Sequence, residues 1–314
     1  MHKTIFISIL SLLMIGCATT STPSKKGKND PAPPNVVIIF LDDSGYGDFH
    51  PFGNPKYKTP NVEKLAGEGM RLNKFYVPQA ICSASRSALL SGCFPGRTKV
   101  FGAHGPKSKG LDPKFMTMAE MFKKNGYATA HFGKWHCGDT PTTRPQARGF
   151  DEHAGLMYSN DMWQHHPKNP EHWGKHPLQY WENGTVKINE VSKKDQTQLT
   201  TWSTKYGVDF INRNSKKPFF LYLAHSMPHV PIFCSDKFLG KSGTGLYGDV
   251  IMELDWSVGE LTKAIKEAGI KKTPSSYLVP TTDHGLSTAI MPASRRLENI
   301  KQLVSMAAYD RLQS

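Results

Sequence analysis

The chain has 314 residues, 38% of them hydrophobic, which is enough for one large domain or two ordinary ones around a sizeable core. Thirty-nine Lys and Arg against 26 Asp and Glu leave a formal charge of +13, which suits an anionic partner such as a charged glycan, a nucleic acid or an acidic membrane surface. The lysines are scattered, and neither zinc-finger spacing nor an aromatic RNA-binding motif is present, so no nucleic-acid partner is expected.

At the N-terminus, Met1-His2-Lys3 precedes an apolar run from Ile5 to Ile15 and then Gly16-Cys17. That run is too short for a membrane span of about 20 residues and has the layout of a secretory signal, so residues 1–17 are expected to direct export. Leu13-Met14-Ile15-Gly16-Cys17 resembles a bacterial lipobox, whose cysteine is lipidated. Membrane contact is then expected only through a lipid on Cys17, at the bacterial periplasm or cell surface. Residues 18–34, rich in Ser, Thr, Pro, Lys and Gly, are expected to be a flexible tether. With Cys17 assigned to the lipid, Cys82, Cys93, Cys137 and Cys234 remain; they form no CxxC pair and no zinc-site spacing.

Asn35 to Leu41 is an apolar run that reads as a central parallel strand buried on both faces, ending in Asp42-Asp43. Ligands of open α/β sheets collect at the carboxyl ends of strands. Adjacent carboxylates there repel unless a cation lies between them, and hard oxygen donors favour calcium, with magnesium as the alternative. A solvated turn with Asp capping a helix is the competing reading. Helices are expected over 59–69, capped by Thr59-Pro60, and over 115–125, closed by Gly126; strands are expected over 70–77 and 127–132. Further on come a helix over 199–211, a strand over 218–224, a long helix over 248–268 in which Asp255 reads as structural, and a strand over 276–280. Residues 139–195 lack periodicity and read as loop. His165, His166, His172 and His176 within them read as surface histidines, because no acidic or Cys partner has a regular spacing.

The stretch Ile81-Cys82-Ser83-Ala84-Ser85-Arg86-Ser87-Ala88-Leu89-Leu90-Ser91-Gly92 has the strongest chemical character. Helix-compatible residues from Ser85 to Leu90 place Cys82 just before a helix N-terminus, where unpaired amides and the macrodipole favour an anion. Arg86 adds a fork of donors. Lys134 and His136 follow the 127–132 strand two residues apart, so an extended backbone puts both on one side. His225 and the Pro228-His229-Val230-Pro231 segment follow the 218–224 strand, where flanking prolines hold an imidazole for proton transfer.

Cys82, Ser85, Arg86, Leu90, Ser91 and Gly92 resemble the first signature of the type I sulfatases, with Ala84 where Pro is usual; Gly133-Lys134-Trp135-His136-Cys137-Gly138 resembles the second. The His225 to Pro231 segment and Thr282-Asp283-His284-Gly285 match further family segments in family order. The resemblance implies an α/β fold with a mostly parallel central sheet sandwiched by helices, as in the alkaline phosphatase superfamily, over residues 35–285. It implies hydrolysis of sulfate esters, of the arylsulfatase A-like or N-acetylgalactosamine-6-sulfatase-like kind, with a sulfated glycan as substrate. Cys82 would be oxidised to formylglycine by a formylglycine-generating or anaerobic sulfatase-maturating enzyme, and its hydrate would attack sulfur. The resemblance further implies that Arg86 and Lys134 offset charge, that His136 takes a proton from the diol, and that His229 serves the leaving alcohol. Its calcium shell would be Asp42, Asp43, Asp283, His284 and the modified Cys82. Calcium prefers oxygen, which leaves His284 orienting the sulfate as an alternative. The tail from Leu286 to Ser314 lacks the family's Gly-Gly-x-Arg segment and has a basic, helix-like composition, so a chain truncated after Gly285, without the C-terminal subdomain, is expected. Two other functions stay open: an inactive, truncated glycan-binding protein, and a phosphate ester or phosphonate hydrolase of the same superfamily.

Overall fold

A computed structural model describes residues 33–50, 52–166, 168–270, 274–281 and 286–292, the last two segments by their backbone alone. Among the described residues one nine-stranded sheet runs in the order β2-β9-β8-β1-β7-β3-β4-β5-β6. Its strands are β1 (Asn35–Asp42), β2 (Gly69–Tyr76), β3 (Ala128–Lys134), β4 (Glu152–Leu156), β5 (Tyr180–Glu182), β6 (Thr185–Ile188), β7 (Phe219–Ala224), β8 (Pro274–Thr281) and β9 (Leu286–Pro292). The central pairs β8-β1, β1-β7, β7-β3 and β3-β4 are parallel, while β9, β5 and β6 pair antiparallel towards the two edges.

The alternation of strand side chains builds a separate core on each face of the sheet. Val37, Ile39 and Leu41 of β1, with Phe219, Leu221 and Leu223 of β7, pack under α1 (Pro60–Glu68), α7 (Leu199–Arg213) and α8 (Leu246–Glu267). Val36, Ile38 and Phe40, with Phe220, Tyr222 and Ala224, pack on the other face under α2 (Cys82–Ser91) and α4 (Met118–Lys124). Short helices α3 (Pro95–Thr98), α5 (Pro170–Trp173) and α6 (Lys193–Gln196) lie in the connections. The α/β sandwich with a mostly parallel sheet is therefore observed.

Asp255 is structural in a specific sense. From α8 its carboxylate accepts the Val62 N–H at 2.8 Å and the Asn61 N–H at 3.0 Å, so it caps α1 across the interface, in place of the expected Thr59 side chain. Residues 139–195 hold more order than their sequence suggests, because β4, β5 and β6 extend the sheet there. Leu286–Pro292 is a strand rather than the helix-like segment expected, pairing with β2 and β8. Residues 1–32, with the export signal, lipobox and most of the tether, lie outside the described residues, as do 282–285 and 293–314.

Candidate active site

The parallel strands stop along one edge, and charged residues occupy their ends. β1 ends at Asp42 and β3 at Lys134, while His225 follows β7. Register aligns Phe40, Ala224 and Gly133 across β1, β7 and β3, so the polar residues beyond them start at one level. Asp43 has φ of 64°, a left-handed turn that aspartate adopts more readily than most residues. The turn breaks strand alternation and keeps two consecutive carboxylates at the same strand end.

The sequence places the start of α2 near Ser85, whereas the helix begins at Cys82: the Ser85 N–H bonds back to the Ile81 carbonyl at 2.9 Å. Buried Cys82 is thus the first helical residue, inside the turn of unpaired amides. One turn on, fully buried Arg86 lies over the Phe40 ring, 4.9 Å from its centroid. Its Nη2 is 3.1 Å from Asp42 Oδ1, and its Nη1 donates to the Lys134 carbonyl at 2.6 Å. That carbonyl also lies 3.3 Å from His131 Nε2. β1 and β3 flank β7, about 9–10 Å apart, a gap that the Lys134 side chain crosses. Its ammonium donates to Asp42 Oδ2 and to Ser159 Oγ, the latter at 2.9 Å.

Burial alone would raise the Asp42 pKa, but the charges of Lys134, Arg86 and His229 outweigh it and hold the carboxyl well below the usual range. Arg86 is likewise held protonated by Asp42 despite burial. His136 behaves differently: burial, then the positive charges of Lys134 and Arg86, push its pKa well below that of a free imidazole, so it is neutral. Its Nε2 lies 2.7 Å from the His104 carbonyl, which can only accept; Nε2 therefore carries the proton. Nδ1 is left as a bare base with no hydrogen-bond partner among the described residues. Both cations meet Asp42, while Asp43 pairs with His229, and all of these groups are buried or half-buried.

His229 Nε2 is 3.5 Å from Asp43 Oδ2, and its Nδ1 is 2.6 Å from the Val230 carbonyl. One ligand atom each of Asp42, Cys82 and His229 lies within 4.8 Å of the others. The oxygens of Asp42 and Asp43 are the hard donors that calcium takes. A carboxylate offers about four lone-pair sites, so Asp42 can hold two cationic side chains and still present an oxygen to a metal ion. The residues present therefore fit calcium.

The structure gathers Cys82, Arg86, Lys134, His136, His229, Asp42 and Asp43 at one strand edge; Asp283 and His284 lie outside the described residues. Lys134 and His136 do not share one face of a strand as expected, because β3 ends at Lys134 and His136 adopts φ of 55° beyond it. His225 stands apart: burial lowers its pKa to about 3, and its Nε2 is 3.0 Å from Ser257 Oγ of α8. The histidines of 165–176 are half-buried or exposed and join no metal-binding group among the described residues. Three residues had no sequence signal. Ser159 holds Lys134, the His104 carbonyl orients His136, and Ser83 Oγ accepts the His104 N–H at 2.9 Å. All are single polar groups in loops or on the first turn of α2, without a pattern of their own.

A family model described as Sulfatase matches residues 34–301, running past Gly285, where the motif resemblance stops. N-acetylgalactosamine-6-sulfatase of Sus scrofa is 32% identical over 281 residues, covering 83% of this chain and 52% of the relative. Arylsulfatase A of Homo sapiens is 34% identical, covering 82% and 53%. The crystal structure of a sulfatase from Pseudoalteromonas sp. superposes with a TM-score of 0.72 at 24% identity, covering 83% of this chain and 62% of that one. This chain spans about half the length of the curated relatives it matches. With the family match extending over most of the chain and the strand-edge cluster built from the same segments, the chain belongs to the sulfatase family.

Proposed function

We propose that this chain hydrolyses sulfate esters at the strand-edge pocket, with a sulfated glycan as its substrate. The observation that carries the reading is the buried contact of Asp42 with both Arg86 and Lys134, two cations on one carboxylate, beside Cys82 at the N-terminus of α2. Cationic groups fixed in a water-poor site are the arrangement that stabilises charge developing on a transferred oxyanion. Family membership and the sugar sulfate named for the N-acetylgalactosamine-6-sulfatase relative support the substrate class.

Conversion of Cys82 to formylglycine by a maturation enzyme would supply a hydrated aldehyde as nucleophile. Calcium on Asp42 and Asp43, with Asp283, His284 and residue 82 completing the expected shell, would polarise the sulfate oxygens. Arg86 and Lys134 hold the anionic end of the substrate in place and offset its charge. His136, neutral with a bare Nδ1, is suited to removing a proton from the group at residue 82. His229 is the partly exposed imidazole of the group, and a protonated Nε2 would donate to the departing alcohol oxygen. Through the export signal and Cys17, the proposal extends to a lipid-anchored protein at the bacterial periplasm or cell surface, with residues 35–285 as its catalytic domain.

The test is sulfate release from a panel of sulfated sugars, an aryl sulfate and an aryl phosphate, using chain coexpressed with a maturation enzyme. Release that disappears in Cys82→Ala supports the proposal. Glycan binding that persists in Cys82→Ala with no release from either protein would instead identify a binding protein, and faster turnover of the phosphate would identify a phosphate ester hydrolase.

A further inference from the structure

No acidic residue occurs between Glu68 and Asp112, while Arg97, Lys99, Lys107 and Lys109 fall close together within that interval. All four are exposed, and among the described residues none of them takes part in an ion pair. The first part of this segment is pinned with its chemistry outward. Cys93, Pro95, Thr98 and Val100 are buried, and Phe94, Arg97, Lys99 and Phe101, set between and beside them, are exposed. The Gly92 N–H donates to the Ala88 carbonyl and the Lys99 N–H to the Pro95 carbonyl, each at 2.8 Å, which closes α2 and α3 in turn. Phe94 is 72% and Phe101 54% exposed. A single surface hydrophobe is ordinary, but two rings set among cations on one outer side mark a surface that meets a partner.

The segment also leads to the pocket. It leaves α2 at Gly92, about 15 Å from Cys82 at 1.5 Å per helical residue, and returns to the first turn of that helix. There the His104 N–H donates to Ser83 Oγ at 2.9 Å, and the His104 carbonyl accepts from His136. Lys107 follows, its backbone N–H donating to Asp139 Oδ2 at 3.1 Å and to the Tyr158 hydroxyl oxygen at 3.2 Å.

We propose that residues 94–109 form a docking track for an anionic polysaccharide, holding sulfated sugars beyond the one whose ester lies at residue 82. Arg97, Lys99, Lys107 and Lys109 meet sulfate groups, and Phe94 and Phe101 meet the apolar faces of sugar rings. Nucleic acids and acidic membranes also attract cations. The track ends, however, at the pocket where Arg86 and Lys134 are gathered, and that continuity favours a polymer of the pocket's own substrate. The choice of ligand rests on the sulfate ester reading; the binding itself is measurable without turnover.

The test uses the full 314-residue chain carrying Cys82→Ala, with dextran sulfate, poly(vinyl sulfate), a single-stranded oligonucleotide and vesicles of anionic phospholipid as probes. Joint replacement Arg97→Gln, Lys99→Gln, Lys107→Gln and Lys109→Gln weakens dextran sulfate binding by more than about tenfold, and the slope of log affinity against log salt flattens by up to about one for each cation removed. Phe94→Ser with Phe101→Ser weakens dextran sulfate binding about three- to tenfold and leaves the salt slope and poly(vinyl sulfate) binding unchanged. Lys216→Gln with Lys217→Gln, exposed and ahead of β7 at the end of the sheet away from the pocket, changes nothing. Unchanged urea midpoints show that the losses are local. In converted protein the four-cation variant raises KM for a sulfated polysaccharide and leaves kcat and the turnover of a small aryl sulfate as they were. If the converted chain releases no sulfate, the catalytic reading fails and the binding comparison still decides this proposal. Undiminished dextran sulfate binding in the four-cation or the two-ring variant, an equal loss in the Lys216 and Lys217 variant, or equally tight capture of oligonucleotide or vesicles through the same residues would each overturn it.

Discussion

Replacing Asp42 by Asn tests the electrostatic frame of the pocket. The carboxylate is buried and touches Arg86 Nη2 at 3.1 Å and the Lys134 ammonium. At an effective dielectric of about 20, a unit pair at that separation is worth about 5 kcal/mol before desolvation. Asparagine removes two such pairs at once and leaves two cations facing each other in a buried site. Breaking a buried pair by deleting one partner typically costs about 3–5 kcal/mol, a large share of a total stability of about 5–15 kcal/mol. Arg86→Met severs only one pair and leaves Asp42 with Lys134, so its loss should be smaller. Urea unfolding at neutral pH measures both. The reasoning fails if Asp42→Asn costs less than about 1 kcal/mol, or if Arg86→Met costs more.

Four further outcomes follow from the same geometry. His153 and His225 are held near pKa 3 by burial, against 6.5 for the free ring. The unfolded chain therefore binds more protons between those values. Stability should fall as pH drops below 6.5, by about 1.4 kcal/mol per pH unit for each histidine. Unfolding midpoints between pH 7.5 and 5 measure this, and a flat profile would count against the buried, neutral assignment. Asp42 adds nothing in that window, since its folded pKa is lowered and its contribution is lost only at more acidic pH. Gly133→Ala puts a Cβ 1.9 Å from the Ala224 carbonyl oxygen at φ of 109°, and should lower stability by at least the roughly 1–3 kcal/mol of overpacking, read as a melting shift. Asp255→Ala removes the cap of α1 and should cost about 1–2 kcal/mol in the same assay. Chelation with EDTA should abolish sulfate release by converted protein, and calcium should restore it better than magnesium.

The parts of the fold legible in the sequence are those where one physical pattern dominates. β1 and β7 are continuous apolar runs buried on both faces, and their abrupt polar ends mark the edge where the pocket forms. β4 was hidden because Glu152-His153-Ala154-Gly155-Leu156 has no apolar run. Its burial depends on a partner: His153 stacks on His131 with Nδ1 atoms 2.9 Å apart, and Gly155 lies against the Gly133 carbonyl. Such pairing is visible only once β3 and β4 are neighbours. The start of α2 is not legible in the sequence for a local reason, since Ile81 at the N-cap carries no capping group to mark it. Ser159 and His104 act through single hydrogen bonds from loops, which leave no periodic trace.

The central proposal is that residue 82, beside Asp42, Arg86 and His229, is the reactive group. The direct measurement is the mass of the peptide carrying residue 82, taken from protein that is releasing sulfate. The account predicts a peptide lighter by the exchange of a sulfur and two hydrogens for one oxygen, in proportion to activity across preparations. Full sulfate release from protein whose Cys82 peptide is entirely unmodified thiol would contradict it.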